Sequence, residues 1–515
     1  MRIEKSAAFL KVLQMAALAC LACATLFAYD PELKSDLAQR RQAVMEKMGN
    51  RGMLILFSKK LRPYSGDVVY EFRQENNLFY LTGIRQRDIT LALIPQNSSY
   101  REILFLPDQN PRRELWTGKM LSPEEATEIS GIENVWSASE FERFIDSVLY
   151  GRPYRTNRYL QSREYRDFVK DLQRGEAEVF LLMEPRPGLT GEMSREFEFA
   201  NRLRERFTGI QVKDASKIFD QLRVIKSPYE IKQLQEAIDI TVEAHLQAIK
   251  HLHPGAWEYE IEALIEYVFK RRNSFDWAFP SIVASGPNAT VLHYQESQRQ
   301  TKDGGLLLID IGAEYNYYAA DITRTVPVNG QFTTEQAEIY QLVLDAQNAA
   351  MALVKPGSSL SAVHQKAVEV LKEGLFRLGL ITDKSGDQYR VFFPHGVGHF
   401  LGLDVHDVGR REHLQPGMVL TVEPGIYVRG DSLERLAGRG VVQEELEKIR
   451  AALNKYMHIG VRIEDDVLVT EDGYELLSKD APREIAEIEA LVGRDQEIGA
   501  RSQESGARSQ EFNYP

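Results

Sequence analysis

LLLIDIGAEYNYYAADITRT, the stretch from Leu306 to Thr325, determines the architecture that we predict for this chain. Two apolar runs lie on either side of a polar turn, and this pattern predicts an antiparallel hairpin that places Asp310 and Asp321 side by side. Two carboxylates at that separation repel each other unless a proton or a cation lies between them. For this pair alone, aspartates that flank a turn and cap its backbone are the simpler interpretation.

Three later segments reverse that preference. His399 lies in PHGVGHFLGLDVHDVG, Glu423 ends the run VLTVE before Pro-Gly, and Glu464 lies in GVRIEDDVLVT. An ionised carboxylate on a mostly apolar strand is costly to bury unless a cation receives it. We therefore predict one site for two metal ions, called the cage below, whose ligands come from separate segments of the chain: Asp310, Asp321, His399, Glu423 and Glu464.

The types of donor in this set indicate the metal. Four carboxylates and one imidazole suit Mn²⁺, with Co²⁺ or Zn²⁺ as alternatives. A structural zinc ion is disfavoured because it prefers Cys and His ligands. Both cysteines, Cys20 and Cys23, lie close to the N-terminus, and all ten histidines lie between His245 and His458. Acid–base or metal chemistry at neutral pH is thereby placed in the C-terminal half.

Other polar residues near these segments are candidates for the same site. His395, His399 and His406 are separated by glycines, which indicates a loop whose backbone approaches a ligand closely. His293, in VASGPNATVLHY, is a weaker candidate on its own. Arg462 lies two residues before Glu464, so on a strand the two share a face and Arg462 is expected to orient Glu464. The alternative is an ordinary surface ion pair.

Length and composition predict a soluble protein with two domains. The chain has 515 residues, too many for one ordinary core, with 43% hydrophobic and 27% charged residues. Its formal net charge of −12 argues against nucleic acid or an anionic membrane as the main partner. The N-terminal half predicts an α/β pattern, with strand-like runs at Met53–Phe57, Thr90–Ile94, Glu102–Leu106 and Glu178–Leu182.

The C-terminal half begins with a helix signal and contains a faint repeat. Ser227 and Glu230 form a capping box around Pro228, which predicts a helix to about His251. A second helix and a strand pair follow, and the order of helix, Pro-Gly, helix and strands then recurs about a hundred residues later. This repeat predicts a pseudo-twofold α+β domain, in which a central site draws ligands from both halves. A chance resemblance between two helix pairs is the alternative.

The two ends of the chain differ from the rest. Basic residues precede an apolar run from Val12 to Ala28, which is typical of a secretory signal in residues 1–28. This predicts an exported protein, periplasmic or secreted, and an uncleaved membrane anchor is the alternative. The tail, residues 493–515, is polar and partly repetitive, so we predict that it is disordered.

Taken together, these segments resemble the aminopeptidase P (Xaa-Pro aminopeptidase) branch of the pita-bread metallopeptidase superfamily. The motifs DVVYEFRQENNLFYLTG, LRVIKSPYEI, SGPNATVLHY, HGVGHFLGLDVHDVG and TVEPGIY occur in the order found in that family. The resemblance implies an α+β pita-bread (creatinase/aminopeptidase-like) catalytic domain over residues 221–480. It also implies a non-catalytic α/β, ribonuclease-H-like N-terminal domain over residues 29–220.

The resemblance also implies roles for the site residues. Asp321 and Glu464 would bridge two divalent ions, Asp310 would complete one of them, and His399 and Glu423 would complete the other. Glu423 would also be a proton shuttle. The remaining members of the set would bind substrate, stabilise the tetrahedral intermediate or orient Glu464: His293, His395, His406 and Arg462. The implied reaction is release of an N-terminal residue that precedes proline, by a hydroxide held by two metal ions, in a homo-oligomer (dimer or tetramer).

Three alternative functions stay open at this point. A prolidase would use the same cage to cleave only Xaa-Pro dipeptides, a creatinase-like enzyme would hydrolyse another carbon–nitrogen bond, and a metal-free member would serve as a binding protein or scaffold. One departure from the family pattern is visible, since forty residues separate Glu423 from Glu464. The charged, helix-prone part of this segment, residues 431–456, is predicted to be an inserted excursion beside the site that narrows access or contacts another subunit.

Overall fold

The computed structural model describes residues 30–155, 161–183, 191–207, 209–409 and 413–494. The chain divides into two compact units, Met1–Leu222 and Arg223–Pro515, and this division lies next to the domain limit predicted at residue 220. The predicted signal segment, residues 1–28, and residues 495–515 of the predicted tail lie outside the described residues. Within the described ranges, no helix has the length and apolar character needed to cross a membrane.

The first unit is built on a six-stranded mixed sheet. The strands are ordered β6-β5-β4-β1-β7-β8; β1, β4 and β5 pair antiparallel, and the other pairs are parallel. The four predicted strands are present, with bounds that differ by at most one residue. The sheet strands are β1 Gly52–Phe57, β4 Thr90–Leu93, β5 Glu102–Leu106, β6 Val135–Ser137, β7 Glu178–Leu181 and β8 Gln211–Asp214, and a separate hairpin is formed by β2 Pro63–Ser65 and β3 Val68–Val69.

Helices of the first unit cover the sheet with apolar side chains. Phe144, Phe168 and Phe199 come from three different helices and join the buried core formed with β1 and β5. The helices are α1 Pro31–Met48, α2 Asn76–Thr82, α3 Pro111–Thr117, α4 Pro123–Ser130, α5 Phe141–Leu149, α6 Arg163–Arg174, α7 Arg195–Arg206 and α8 Ser216–Arg223.

The second unit contains two helix pairs, each followed by strands. The predicted capping box is present: the Glu230 N–H donates to Ser227 Oγ at 3.2 Å, and the Ser227 N–H donates to Glu230 Oε2 at 3.0 Å. Because Pro228 also fits the first turn, the helix begins there. It ends at His251, as predicted, and the four helices are α9 Pro228–His251, α10 Glu258–Arg271, α11 Thr334–Met351 and α12 Leu360–Arg377.

Two three-stranded antiparallel sheets carry the segments that follow these helix pairs. The first has the order β10-β11-β14 and the second β15-β18-β19. Strand β14 of the first sheet also bonds to the segment that leads into β18: the Glu464 N–H donates to Thr323 O at 3.1 Å, and Thr325 Oγ1 donates to Arg462 O at 3.0 Å. The strands are β9 Asp276–Trp277, β10 Ile282–Ser285, β11 Leu306–Ile311, β12 Ala313–Tyr315, β13 Tyr318–Ala319, β14 Ile322–Pro327, β15 Val419–Val422, β16 Gly425–Tyr427, β17 Gly460–Arg462, β18 Asp465–Val469 and β19 Tyr474–Leu476.

The hairpin predicted for Asp310 and Asp321 is present in a modified form. On the antiparallel pair β11–β14, Asp310 lies opposite Thr323, and Asp321 comes immediately before β14. Strands β12 and β13 lie outside this sheet, and β12 pairs with both β13 and β9. The chain approaches itself closely where it leaves, since a Cβ added at Gly312 would lie 1.8 Å from Ala320 O. Asp310 and Asp321 are therefore not opposite each other in the ladder.

The excursion at residues 431–456 forms two helices, α13 Ser432–Gly438 and α14 Gln443–Tyr456, before the short C-terminal helix α15 Ile485–Glu489. Leu436, Ile449 and Leu453 are buried in the main core of the unit. Tyr456 Oη donates a hydrogen bond to Glu338 on α11. The excursion is thus an integral layer of the second unit.

We predict that Gly374→Ala destabilises the second unit. Gly374 lies on α12, and an added Cβ would lie 2.1 Å from Leu342 Cδ1 on the adjacent α11. In an exposed helix this exchange stabilises, but crowding of a packed core costs about 1–3 kcal/mol. Thermal unfolding should show a lower Tm.

Gly438→Ala is the matched control because Gly438 also lies in a helix, and a Cβ added there meets no atom within 4 Å. Its Tm should stay equal or rise. The double variant Leu342→Ala/Gly374→Ala should recover part of the loss. A Tm for Gly374→Ala as high as that of Gly438→Ala would contradict the close helix packing.

Candidate active site

One cavity of about 430 Å³ in the second unit gathers every side chain that the sequence predicts for the site. These residues come from five separate stretches of the chain, which the fold brings to a single place. The predicted residues that line the cavity are His293, Asp310, Asp321, His395, His399, His406, Glu423, Arg462 and Glu464. Its apolar wall is formed by Phe279, Pro280, Ile282, Leu292 and Val405.

The acidic residues are carried at or just beyond the ends of buried strands. Asp310 is the fifth residue of β11, Asp321 precedes β14, Glu423 follows β15, and Glu464 lies between β17 and β18. Every residue of the five strands β11, β14, β15, β17 and β18 is buried. Strands that are packed in this way hold the carboxylates in fixed positions.

His399 is held against β15 by hydrogen bonds. Its N–H donates to Thr421 Oγ1 at 3.1 Å, and the Thr421 N–H donates to His399 O at 2.9 Å. Its Nδ1 lies 3.1 Å from Phe400 O. Because Nδ1 donates to that carbonyl, the lone pair of His399 is on Nε2, the atom that faces the acidic residues.

The ligand atoms of the cage lie close together. One atom each from Asp321, His399 and Glu464 lies within 4.8 Å of the others. His399 Nε2 is 3.3 Å from Asp321 Oδ2 and 3.7 Å from Glu423 Oε1. These distances bring both halves of the repeat to one centre.

The electrostatics of the cage favour a cation. Burial, with added repulsion from Asp310, raises the pKa of Asp321 well above its usual range. Burial and the neighbouring Asp321 do the same to the pKa of Glu464. Burial also raises the pKa of Glu423, although His399 and Arg462 oppose this effect. A divalent ion among these groups would remove the cost of keeping them ionised together.

The donor atoms of the cage also fit a divalent cation. Asp310 Oδ1 is buried and has no hydrogen-bond partner among the described residues, while its Oδ2 forms an ion pair with Arg462. An acceptor without a partner is costly to bury. Oxygen atoms with one imidazole nitrogen form a set that suits hard-to-borderline divalent ions. The residues present therefore fit a metal centre.

Arg462 forms its direct ion pair with Asp310, and its predicted action on Glu464 is indirect. Its Nη2 pairs with Asp310, its Nε donates to Thr323 Oγ1 at 3.1 Å, and Thr323 Oγ1 in turn donates to Glu464 Oε2 at 2.6 Å. Strand β17 ends at Arg462, so the rule that alternate residues share a face does not extend to Glu464. Arg462 acts directly on Asp310 and reaches Glu464 through Thr323.

Tyr427 is a buried residue of the site that the sequence interpretation missed, although it lies in the quoted motif TVEPGIY. Its hydroxyl is 2.9 Å from Arg462 Nη1 and 2.9 Å from His395 Nε2. Burial raises the pKa of Tyr427 to about 12. Burial, with a contribution from Arg462, lowers the pKa of His395 to about 3. His395 is therefore neutral at neutral pH, and its Nδ1 lies 3.5 Å from Glu423 Oε2.

His406 lies on a loop that a cluster of buried ion pairs holds in place. Its ring stacks on that of His399, with centroids 3.9 Å apart. The neighbouring Asp407 donates its N–H to Phe400 O at 2.8 Å. The Asp407 carboxylate is buried against Lys226 Nζ at 3.0 Å and against Arg223. Two cations from the start of the unit thus fix the loop that carries His406.

Gln347 on α11 was also missed, because a single glutamine in a helix carries no local signal of its role. Its Nε2 lies 3.0 Å from Val422 O and 3.1 Å from Ile463 O. These carbonyls belong to the residues immediately before Glu423 and Glu464. One amide group therefore ties together the two backbone segments that present these glutamates.

Comparison with known proteins places this geometry in a family. The profile of metallopeptidase family M24 matches residues 232–471, and that of the aminopeptidase P N-terminal domain matches residues 37–156. The Xaa-Pro aminopeptidase of Haemophilus influenzae is 35% identical over 469 residues, which are 89% of this chain and 97% of that protein. The Xaa-Pro aminopeptidase of Escherichia coli is 34% identical over 470 residues, 89% of this chain and 98% of that protein.

The chain belongs to the aminopeptidase P family of M24 metallopeptidases. Solved structures of the family have the same fold: a putative aminopeptidase P from Bacillus anthracis superposes with a TM-score of 0.76 at 34% identity, covering 89% of this chain and 98% of that chain. Aminopeptidase P from Escherichia coli with the inhibitor Pro-Leu gives a TM-score of 0.74 at 32% identity, covering 91% and 99%. The predicted family, the pita-bread fold and the class of enzyme, a metallopeptidase, are confirmed.

The excursion does not enter this aminopeptidase P site. Among the described residues, no side chain from 431–456 lines the cavity. The excursion packs on α11 instead, so the prediction that it narrows access finds no support in the cavity wall. Its predicted contact with another subunit stays a prediction.

We predict that Gln347→Leu weakens metal binding. The exchange removes the buried amide that donates to Val422 O, Ile463 O and Asp465 Oδ2, and the loss of a donor to buried acceptors is costly. Loss of groups that orient ligands typically lowers metal affinity about 10–100-fold. Calorimetric titration of Mn²⁺ into chelated protein measures this change.

Gln341→Leu is the control, since Gln341 lies on the same helix but is exposed and bonds to Asp345. Its Mn²⁺ affinity should equal that of the unchanged protein. Equal affinities for Gln347→Leu and Gln341→Leu would show that Gln347 does not position the glutamates.

Proposed function

We propose that this chain is an Xaa-Pro aminopeptidase, which releases the N-terminal residue from peptides whose second residue is proline. The observation that carries the proposal is the convergence of all nine predicted site residues on one cavity. Relatives that match nearly the whole chain are Xaa-Pro aminopeptidases, which does not favour a prolidase. A metal-free scaffold is disfavoured because four carboxylates and one imidazole, all able to bind metal, line the same cavity.

We propose that two divalent ions occupy the cage, with Mn²⁺ as the preferred metal and Co²⁺ or Zn²⁺ as alternatives. The side chains that would hold them are Asp310, Asp321, His399, Glu423 and Glu464. Support comes from the oxygen-rich donor set. When bound, such ions supply a Lewis acid and lower the pKa of water.

Glu423 is the group that moves the proton. Hydrolysis consumes one water, whose oxygen joins the carbonyl carbon while a proton passes to the leaving proline nitrogen. Burial raises the pKa of Glu423, which brings a carboxylate closer to the pH at which a proton shuttle works well. His395 is next to this carboxylate, with its Nδ1 3.5 Å from Glu423 Oε2 and 2.7 Å from the backbone oxygen of Gly396.

The cavity walls supply substrate recognition. Phe279, Pro280, Ile282 and Val405 form an apolar surface that suits the pyrrolidine ring of proline. His293 and His406, from two different loops, provide polar groups that hold the substrate backbone and the oxygen of the tetrahedral intermediate. A tertiary amide before proline resists many peptidases, so a site shaped for it is needed.

We also propose that the protein is exported, to the periplasm or the outside of the cell, and functions as a homo-oligomer, either a dimer or a tetramer. The basic and apolar pattern of residues 1–28 supports export, with a membrane anchor as the alternative. The oligomer is supported by the family resemblance alone.

The first test measures metal-dependent turnover. Chelated protein should not cleave an Xaa-Pro-Xaa tripeptide, and Mn²⁺ should restore release of the first amino acid more effectively than Co²⁺ or Zn²⁺. Glu423→Gln should lower kcat by roughly 10²–10⁴-fold, since it removes the proton shuttle. Amino-acid analysis of the products measures both effects.

An Xaa-Ala-Xaa tripeptide is the matched control and should not be cleaved. Turnover of Xaa-Pro dipeptides without turnover of the tripeptide would favour the prolidase. Full activity in excess chelator would contradict the metal mechanism.

The second test concerns export. N-terminal sequencing of the protein from its native cells should begin at Tyr29 if cleavage follows Ala28. A protein that begins at Met1 and sediments with membranes would support the anchor. A full-length protein in the cytosol would contradict both versions.

A further inference from the structure

Glu258 is a fully buried carboxylate outside the set of site residues described above. It is the first residue of α10 and accepts hydrogen bonds from two backbone N–H groups and two side chains. The donors are Ser285 N at 2.6 Å, Asn288 Nδ2 at 3.1 Å, Tyr294 Oη at 2.8 Å and Arg299 N at 2.9 Å. All four donors belong to one loop, residues 285–299.

The two carboxylate oxygens bind opposite ends of that loop. Oε1 accepts from Ser285 and Asn288 at its start, and Oε2 accepts from Tyr294 and Arg299 nearer its end. Hydrogen bonds to an ionised acceptor are stronger than bonds between neutral groups. The Glu258 side chain therefore holds both ends of the loop.

This loop carries His293 to the wall of the site. After the turn at Gly286–Thr290 its backbone has no regular secondary structure through Arg299, so a strand ladder does not fix it. His293 lines the cavity, whereas the next residue, Tyr294, is buried and bonds to Glu258. The anchor is thus one residue away from the group that faces the substrate.

We propose that Glu258 is a positioning residue for substrate binding, which acts through Tyr294 to hold His293 at the cavity wall. The inference rests on the proposed peptidase function. None of the donors to Glu258 is a predicted metal ligand, so its effect is separable from metal binding. Misplacement of a substrate-binding group by about 1 Å costs up to roughly 10²-fold in rate.

Tyr294→Phe is the main variant because it removes one hydroxyl and leaves the packing of the ring intact. Its kcat/KM for an Xaa-Pro-Xaa tripeptide should fall about ten- to hundredfold, with Mn²⁺ affinity and Tm close to those of the unchanged protein. Glu258→Gln should act in the same direction and more strongly, since its amide nitrogen must face a donor.

Tyr456→Phe is the matched control. Tyr456 is also buried in the second unit, and its hydroxyl also donates to a glutamate, Glu338, but neither residue lines the cavity. Its kcat/KM should be unchanged. An equal loss in Tyr456→Phe and Tyr294→Phe would overturn the proposal.

A double-mutant cycle tests whether the effect passes through His293. In a His293→Ala background, Tyr294→Phe should cause no further loss of kcat/KM, because the group that it positions is already absent. The same fold-loss in both backgrounds would mean that the bond has only a general structural role, and this result would overturn the proposal.

Histidine NMR gives a readout that does not need activity. The ring signal of His293, assigned from its loss in His293→Ala, should shift in Tyr294→Phe and stay in place in Tyr456→Phe. If metal-loaded unchanged protein cleaves no Xaa-Pro peptide, the proposed function fails, and the NMR comparison still decides the inference. An unshifted His293 signal in Tyr294→Phe would overturn it.

Discussion

Mutual repulsion among buried carboxylates is the constraint on which the second unit depends. Asp310, Asp321, Glu423 and Glu464 share one cavity, and burial together with repulsion from neighbouring carboxylates raises the pKa of several of them. Left to themselves, such groups would take up protons or move apart. The fold opposes this with strands that are buried on both faces and with the guanidinium of Arg462. The cage is thus prepared for cations before any cation enters.

The pseudo-twofold arrangement distributes the buried negative charge, since each half of the second unit carries only two of the four carboxylates. The first half supplies Asp310 and Asp321, and the second supplies Glu423 and Glu464. The two halves are joined at β14, where Glu464 N–H bonds to Thr323 O. Because the join lies beside the ligands, the spacing between the halves and the spacing within the cage are fixed by the same contacts.

The sequence predicted the cage well because each ligand carries a local signal. A carboxylate at the end of an apolar run, or a histidine among glycines, stands out without knowledge of the fold, as Glu423 and His399 did. The ion-pair partner of Arg462, Asp310, could not be predicted from the sequence. The rule that alternate residues of a strand share a face does not hold beyond Arg462, where β17 ends. Gln347 and Glu258 gave no signal either, since each lies on a helix and meets its partners only through the tertiary fold.

The ion cluster around Asp407 has a consequence for how the second unit can be isolated. Both of its cations, Arg223 and Lys226, precede α9, and Lys226 N–H also bonds to Gly417 O. A fragment that started at Pro228 would retain every metal ligand. It would nevertheless leave the Asp407 carboxylate buried without compensation, a costly state that would loosen the turn beneath His406. A fragment of the second unit that folds on its own must therefore begin upstream of Arg223 and not at the start of α9.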